Sequence, residues 1–159
     1  DSLVLQLTDK HLVTDNLTLD VGYDRENCDK GIYKGPVHID HYGRAVPKGA
    51  HGSVKLDNPT NLGSILISSA TALFDRITDQ KLTIRRITLS ANRVTQDEGF
   101  FQVDLFTDTK KLEKEKQLQE AMLGIKKKFG KNAVLRGTNY LDGATMRERN
   151  EQIGGHKAK

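Results

Sequence analysis

The sequence predicts an α+β fold in which helices pack on a β-sheet, followed by a basic helical tail. Alternating apolar residues over 17–23 indicate a half-buried strand. Apolar residues at helical spacing over 61–78 indicate an amphipathic helix, and a second, lysine-rich helix is predicted over 109–129. A helix with a wide apolar face must bury it against another layer, and the strands supply the sheet for this.

The elements before residue 60 follow from periodicity and from turn residues. Three apolar residues at helical spacing predict a helix over 2–11, and a strand opens at Asn16. Gly, Pro, Asp and Lys dominate 24–46, which is interpreted as loop with room for a short strand over 36–42. A second strand of the same hairpin is predicted over 50–56, ended by the proline that follows.

Beyond residue 60 the signals are stronger. Thr60 is the expected N-cap of the helix over 61–78, and Gly130 the residue that ends the later helix. A strand over 82–94 carries Arg85 and Arg86 with its isoleucines out of phase, which predicts a bulge or a sharp twist. Two adjacent arginines are costly in a strand unless one faces solvent, a carboxylate or a phosphate.

Composition and charge limit the class of protein. The chain has 159 residues, 36% of them hydrophobic, with a net charge of +4, enough for one domain and an extension. No apolar run is long enough for a membrane helix or a signal peptide. The single cysteine, Cys28, fits a reducing, cytoplasmic setting. Lysines and Arg136 make the segment over 110–136 strongly basic, which favours a polyanion as partner, with a solvated helix face as the alternative.

The segment over 100–106 contains a short binding motif. Gln102, Leu105 and Phe106 fit the pattern Gln-x-x-Leu-Phe, which resembles the peptide that bacterial DNA polymerases insert into the sliding clamp. Two apolar anchors would fill a pocket while the glutamine makes directional hydrogen bonds, so few residues carry most of the binding energy. The alternative is an ordinary strand, because apolar and polar residues alternate here.

A second group of residues suggests a different class of function. His38, Asp40, His41 and His51 are metal-ligand types within one predicted hairpin region. Such a site would make the chain a small metal-dependent enzyme, although no cysteine supports it. No glycine-rich phosphate loop and no serine–histidine arrangement is present.

The end of the chain carries the most distinctive pattern. Residues 143–158, GATMRERNEQIGGHKA, resemble the C-terminal signature of Gram-positive Y-family translesion DNA polymerases, the UmuC-like group also called ImpB/MucB/SamB. KFGKN at 128–132 and LTLDVGY at 17–23 resemble other stretches of the same group. The resemblance implies three parts: a little finger (polymerase-associated) domain over 1–97, a clamp-binding peptide and linker over 98–108, and a basic helix with a C-terminal tail over 109–159.

The resemblance also implies an architecture and a set of DNA contacts. The little finger is a βαββαβ unit with a four-stranded sheet and two helices on one face. Its first strand is missing here, so a sheet edge is expected to be exposed or paired with another chain. The open face is expected to meet DNA through backbone phosphates, with little sequence preference. The DNA-binding residues predicted on this basis are Arg85, Arg86, Thr88, Ser90, Arg93, Lys48 and Lys55.

The function implied is the non-catalytic, DNA-binding and clamp-tethering part of a polymerase that acts in damage tolerance, DNA repair and the SOS response. The catalytic carboxylates and their Mg²⁺ belong to the palm, outside this chain. Thr95-Gln96-Asp97-Glu98 superficially resembles a palm motif and is interpreted as a solvated turn, so no catalytic or metal-binding residue is assigned. The expected partners are primer–template DNA, the sliding clamp and a regulatory protein at the tail. An interaction module without DNA contact is the alternative.

Overall fold

The central strand β1 (Leu12–Tyr23) organises the first of two units in the computed structural model. The structure describes residues 2–99, 109–153 and 156–157, and its units are Asp1–Thr109 and Lys110–Lys159. Helices and strands are mixed in the chain, which confirms the predicted α+β class. The predicted clamp peptide, Gln102, Leu105 and Phe106, lies outside the described residues.

The first unit has one main sheet and one separate hairpin. Besides β1, its elements are α1 (Ser2–Asp9), α2 (Glu26–Asp29), β2 (Val37–Ile39), β3 (Ala45–Pro47), β4 (Ala50–Thr60), α3 (Gly63–Ile77), β5 (Ile84–Asn92) and β6 (Thr95–Gln96). The main sheet has the order β4-β1-β5, and β6 pairs with the start of β1. All of these pairs are antiparallel, and within the described residues β2 pairs only with β3.

Alternation along β1 places its apolar side chains on one face of the sheet, where α1 and α3 cover them. Leu17 packs in one cluster with residues of both helices and of β4: Val4, Leu7, Leu56 and Leu66. Leu19 and Val21 pack in a second cluster that includes Leu73 of α3. Burying each such side chain stabilises the fold by about 1.5–3 kcal/mol.

The predicted pairing of the short strand over 36–42 with the strand over 50–56 is wrong. β2 pairs with β3, whereas β4 pairs with β1, so the segment over 50–56 does not return along the short strand. The strand also runs past Pro59 to Thr60. Thr60 pairs with Thr14, whereas Lys55 pairs with Asn16, so the pairing register shifts between them. Pro59 lies in this irregular stretch of β4, where a missing backbone N–H breaks no regular ladder bond.

The start of α3 also differs from the prediction. The helix begins at Gly63 after Leu62, and Thr60 is the last residue of β4 rather than the N-cap. Its hydroxyl Oγ1 accepts a hydrogen bond from the Leu62 amide at 3.1 Å, so it supports the turn into the helix. The bulge predicted in β5 is confirmed: Gly22 lies opposite Arg86 while Tyr23 lies opposite Ile84.

The second unit contains a long helix and a folded tail. Its elements are α4 (Thr109–Phe129), a 3₁₀ turn (Gly137–Tyr140), α5 (Met146–Asn150) and the two-residue strands β7 (Gln152–Ile153) and β8 (His156–Lys157). The bounds of α4 match the prediction, and Gly130 follows it with φ 97°. Asn150 Nδ2 donates to Asn132 Oδ1 at 2.7 Å, which ties α5 to the residues just after α4.

The apolar face predicted for α4 is largely uncovered. Leu118 and Phe129 are 60% and 68% exposed, whereas Gln119 is buried. Within the described ranges, no helix is both long and apolar enough to cross a membrane.

Candidate nucleic-acid interface

The face of the main sheet that α1 and α3 leave uncovered carries polar side chains and one glycine. In an antiparallel ladder, residues directly opposite each other share a face. Thr18 lies between Ser53 and Ser90, and Asp20 lies between His51 and Thr88. The polar sheet face, as we call it, consists of Asn16, Thr18, Asp20, Gly22, His51, Ser53, Lys55, Arg86, Thr88, Ser90 and Asn92.

The two cationic side chains of the polar sheet face stand far apart along the strands. Arg86 lies opposite Gly22, and Lys55 lies opposite Asn16 towards the other end of β1. Both cations are exposed. Among the residues that the structure describes, Arg86 takes part in no ion pair, so its guanidinium is available to a ligand.

Between these cations, the polar side chains are linked to one another. Asn92 Nδ2 donates to Asn16 Oδ1 at 2.9 Å and to Thr18 Oγ1 at 2.6 Å. His51 Nδ1 lies 2.6 Å from Asp20 Oδ1. These contacts hold the side chains in place across three strands, so the face offers a preorganised set of polar groups.

Arg93 is less available than the sequence predicted. It follows β5 with φ 48°, and its Nε donates to Asp15 Oδ1 at 2.8 Å while Nη2 contacts the second carboxylate oxygen. This hydrogen-bonded pairing lowers the pKa of the Asp15 carboxyl, with the charges of Arg93 and Lys55 adding to the effect. The positive charge of Arg93 is therefore largely matched by a neighbouring carboxylate.

Arg85 and Lys48 lie beside the polar sheet face rather than on it. Arg85 is the extra residue of the bulge, exposed between Ile84 and Arg86. Lys48 is exposed in the turn from β3 to β4, where its amide donates to the Pro36 carbonyl at 2.9 Å. Both side chains are at the margin of the site.

The fold thus brings part of the predicted set together and adds residues that were not predicted. Arg86, Thr88, Ser90 and Lys55 share the polar sheet face. Sequence reasoning assigned no DNA-binding role to the other members of this face: Asn16, Thr18, Asp20, His51, Ser53 and Asn92. Strict alternation with the apolar residues of β1 was a signal for Thr18 and Asp20. The β4 residues carried no such signal because their partner strand was predicted wrongly.

A depression of about 250 Å³ lies at the Arg86 end of the polar sheet face. The main sheet contributes Asp20, His51 and Arg86 to its lining, and the hairpin of β2 and β3 contributes His38 and Val46. The hairpin therefore borders the polar sheet face directly.

In the metal site considered as an alternative, the carboxylate of Asp40 is already engaged by Arg44. Asp40 Oδ2 accepts hydrogen bonds from Arg44 Nε at 2.9 Å and Nη2 at 2.7 Å. These bonds lower the pKa of Asp40 to about 2. In the part of the chain that the structure describes, no three His, Cys, Asp or Glu residues gather in a way that could hold a metal ion.

Comparison with known proteins identifies the relatives of this chain. It is 36% identical over 111 residues to DNA polymerase IV 2 of Halalkalibacterium halodurans and 32% identical over 110 residues to DNA polymerase IV 2 of Bacillus subtilis. The chain is homologous to part of these bacterial DNA polymerases. This polymerase homologue is also 30% identical over 110 residues to the putative UV-damage repair protein UvrX of B. subtilis.

The polymerase homologue corresponds to a limited portion of these relatives. The matches cover 70%, 69% and 69% of this chain but 26% of each relative. The chain therefore spans about a quarter of the length of the curated relatives it matches. No protein-family model matches the chain. No solved structure matches it either.

Proposed function

We propose that this chain is the non-catalytic DNA-binding and clamp-tethering portion of a Y-family translesion DNA polymerase. The observation that carries the proposal is the polar sheet face, which stands opposite the face buried under α1 and α3. The order α1-β1-β4-α3-β5 supports the little finger assignment, because it is the βαββαβ order without its first strand. Names of relatives that refer to DNA polymerase and UV-damage repair support the same reading.

In this proposal the polar sheet face binds the DNA backbone without reading sequence. Arg86 and Lys55 neutralise phosphates and release counterions, so binding weakens as salt increases. The hydroxyls of Thr88 and Ser90 donate hydrogen bonds to phosphate oxygens. Asp20 places a negative charge on the same face, which keeps the affinity for DNA low.

A tether to the sliding clamp would compensate for this low affinity for DNA. The Gln102, Leu105 and Phe106 peptide lies between β6 and α4 in the sequence. Binding of this peptide to the sliding clamp raises the effective concentration of the polar sheet face at the primer end. The proposed parts are the little finger over 1–97, the clamp peptide and linker over 98–108, and the basic helix and tail over 109–159, with the tail open to a regulatory protein.

The polymerase reaction itself is assigned to the rest of the parent protein, where a palm would hold Mg²⁺ with its carboxylates. Asp97, in the segment that resembles a palm motif, has a local role. Its amide donates to the His11 carbonyl at 2.8 Å, and its Oδ1 accepts from the Gly99 amide at 3.0 Å. Thr95 and Gln96 form strand β6 rather than part of the predicted turn, and these contacts of Asp97 belong to the turn that follows the strand.

DNA binding is tested by fluorescence anisotropy with a labelled primer–template at several salt concentrations. The Arg86→Ala/Lys55→Ala double variant should weaken binding, by about 2- to 10-fold for each cation removed. It should also reduce the slope of log affinity against log salt by about two. Lys81→Ala, in the connection between α3 and β5, is the matched control. Equal affinity of wild type and double variant at every salt concentration would contradict the proposal.

Clamp tethering is tested separately, with purified bacterial sliding clamp and the Leu105→Ala/Phe106→Ala variant. We expect the variant to lose clamp binding and to keep the DNA affinity of the wild type. Clamp binding that survives both substitutions would show that the peptide is not the anchor. A wild type that binds neither DNA nor clamp, but does bind another protein through its tail, would favour the interaction-module alternative.

A further inference from the structure

The tip of the β2–β3 hairpin presents an exposed aromatic ring that packs in neither core cluster. Residues 40–44 connect the two strands, and Tyr42 at the tip is 76% exposed. The hairpin is inserted between β1 and β4, which pair with each other directly. Pro47 at the base of the hairpin is buried, whereas residues 41–43 at its tip are exposed, so packing does not constrain the tip.

The tip is held in one conformation by Asp40. Asp40 Oδ1 accepts hydrogen bonds from the Tyr42 amide at 2.9 Å and the Arg44 amide at 3.0 Å, and Oδ2 accepts two from the Arg44 guanidinium. Gly43 has φ 74°, a conformation that favours glycine. A ligand at the tip thus meets a loop that is already ordered, which reduces the entropy cost of binding.

The chemistry of the tip suits a flat partner. The Arg44 guanidinium carbon lies 4.8 Å from the centre of the Tyr42 ring, and the His41 ring lies edge-on at 5.4 Å. Because Asp40 neutralises Arg44, the tip offers π surface rather than net positive charge. Aromatic rings and guanidinium planes of this kind stack on unpaired nucleic-acid bases.

The position of the hairpin favours a base over a protein surface. His38 and Val46 of the hairpin share a depression with Arg86 and Asp20 of the polar sheet face. DNA lying on that face would therefore run against the hairpin. A base that continues beyond the end of a duplex has no partner and can leave the helical stack at little cost.

We propose that the tip formed by His41, Tyr42 and Arg44 is a stacking platform for an unpaired base of single-stranded DNA adjoining the duplex on the polar sheet face. This inference rests on the DNA-binding function proposed above and deepens it. The platform makes the chain prefer a junction between duplex and single strand over a blunt duplex.

The experiment compares the full chain on two DNAs, a blunt duplex and the same duplex with a single-stranded overhang. Tyr42→Ala should reduce affinity for the overhang DNA by about 5- to 10-fold, at the lower end of base stacking on an aromatic ring, and should leave the blunt-duplex affinity unchanged. Tyr42→Phe keeps the ring and should bind like the wild type. 2-Aminopurine placed along the overhang reports the stacked base, because its fluorescence changes on contact with Tyr42 and not in the alanine variant.

Each other outcome overturns the platform. If the wild type binds both DNAs equally, or if Tyr42→Ala keeps the preference for the overhang, the platform is wrong while the DNA-binding proposal stands. Loss of the preference in Tyr42→Phe would mean that the hydroxyl acts rather than the ring. A wild type that binds neither DNA overturns both proposals. If the hairpin instead binds a protein through exposed Val37 and Ile39, Tyr42→Ala will not change the difference in affinity between the two DNAs, and the platform is wrong.

Discussion

Arg86 lies directly opposite Gly22 across the β1–β5 ladder, one residue after the bulge formed by Arg85. The extra residue shifts the alternation of β5, so Ile84 faces Tyr23 while Arg86 stays on the polar sheet face. A Cβ placed at Gly22 would lie 3.8 Å from the Arg86 Cβ, which is ordinary van der Waals contact. Position 22 is therefore a place where a side chain can be introduced beside the exposed Arg86 guanidinium.

Introducing a carboxylate at position 22 should weaken DNA binding. In Gly22→Asp, the new side chain pairs with Arg86 and competes with phosphate, so we expect an affinity about 2- to 10-fold lower and a salt slope smaller by about one. Gly22→Asn has nearly the same shape without the charge and should bind like the wild type. Anisotropy titrations of the two variants check this prediction, and equal loss in both would mean that bulk rather than charge is responsible.

Removing the negative charge of the polar sheet face should strengthen DNA binding. Asp20→Asn keeps the size of the side chain beside His51 but removes its repulsion of phosphates, and we expect affinity to rise by about 2- to 5-fold at low salt. The gain should shrink as salt increases. Asp75→Asn on α3, which covers the opposite face, is the control. An unchanged affinity for Asp20→Asn would place the DNA elsewhere.

A larger residue at Gly52 should destabilise the first unit. A Cβ there would lie 3.0 Å from Ile77 Cγ2 and 3.1 Å from Leu73 Cδ1, so Gly52→Val forces α3 away from β4. The expected cost in the free energy of unfolding is about 1–3 kcal/mol, measured by denaturant titration with circular dichroism. The neighbouring Ser53→Val projects to the polar sheet face and should unfold at the same denaturant concentration as the wild type. Similar loss in both variants would contradict this account of α3 packing.

The Asp40–Arg44 contact should be visible in an acid titration. The pKa of Asp40 is lowered to about 2, chiefly by the hydrogen bonds from the Arg44 side chain. The contribution of this contact to hairpin order is thus fully present above the ordinary value of about 4 and is lost as pH falls through about 2. In Arg44→Gln the carboxyl should titrate closer to its ordinary value. Carboxyl-carbon NMR shifts measured against pH check this, and identical midpoints in the two proteins would contradict it.

The elements with strong periodicity were predictable from local sequence. The strict alternation of Leu17, Leu19 and Val21 predicts β1, and the helical spacing that continues to Ile77 predicts α3. The phase error around Arg85 predicts the bulge. In each of these cases the residues that decide the structure are neighbours in the chain.

Strand partners and free charges were not predictable in the same way. The segment over 50–56 has polar residues at every second position, a pattern that fits pairing with either the short strand before it or β1. Arg86 and Arg93 look alike in sequence, yet Arg93 is held by Asp15, far away in the chain. Such choices depend on which residues a fold brings together.

By itself, the sequence determined the α+β class, a helix over 61–78 that the structure bounds at 63–77, the helix over 109–129, the bulge at Arg85 and the resemblance to Y-family polymerases. These features depend on periodicity and on short motifs, which are local properties of the chain. Only the tertiary structure decided that β4 pairs with β1, that Arg86 and Lys55 share a face, and that the hairpin tip stands beside it. Those relationships join residues distant in sequence, and burial of one sheet face under α1 and α3 selects them from the many pairings that the local pattern allows.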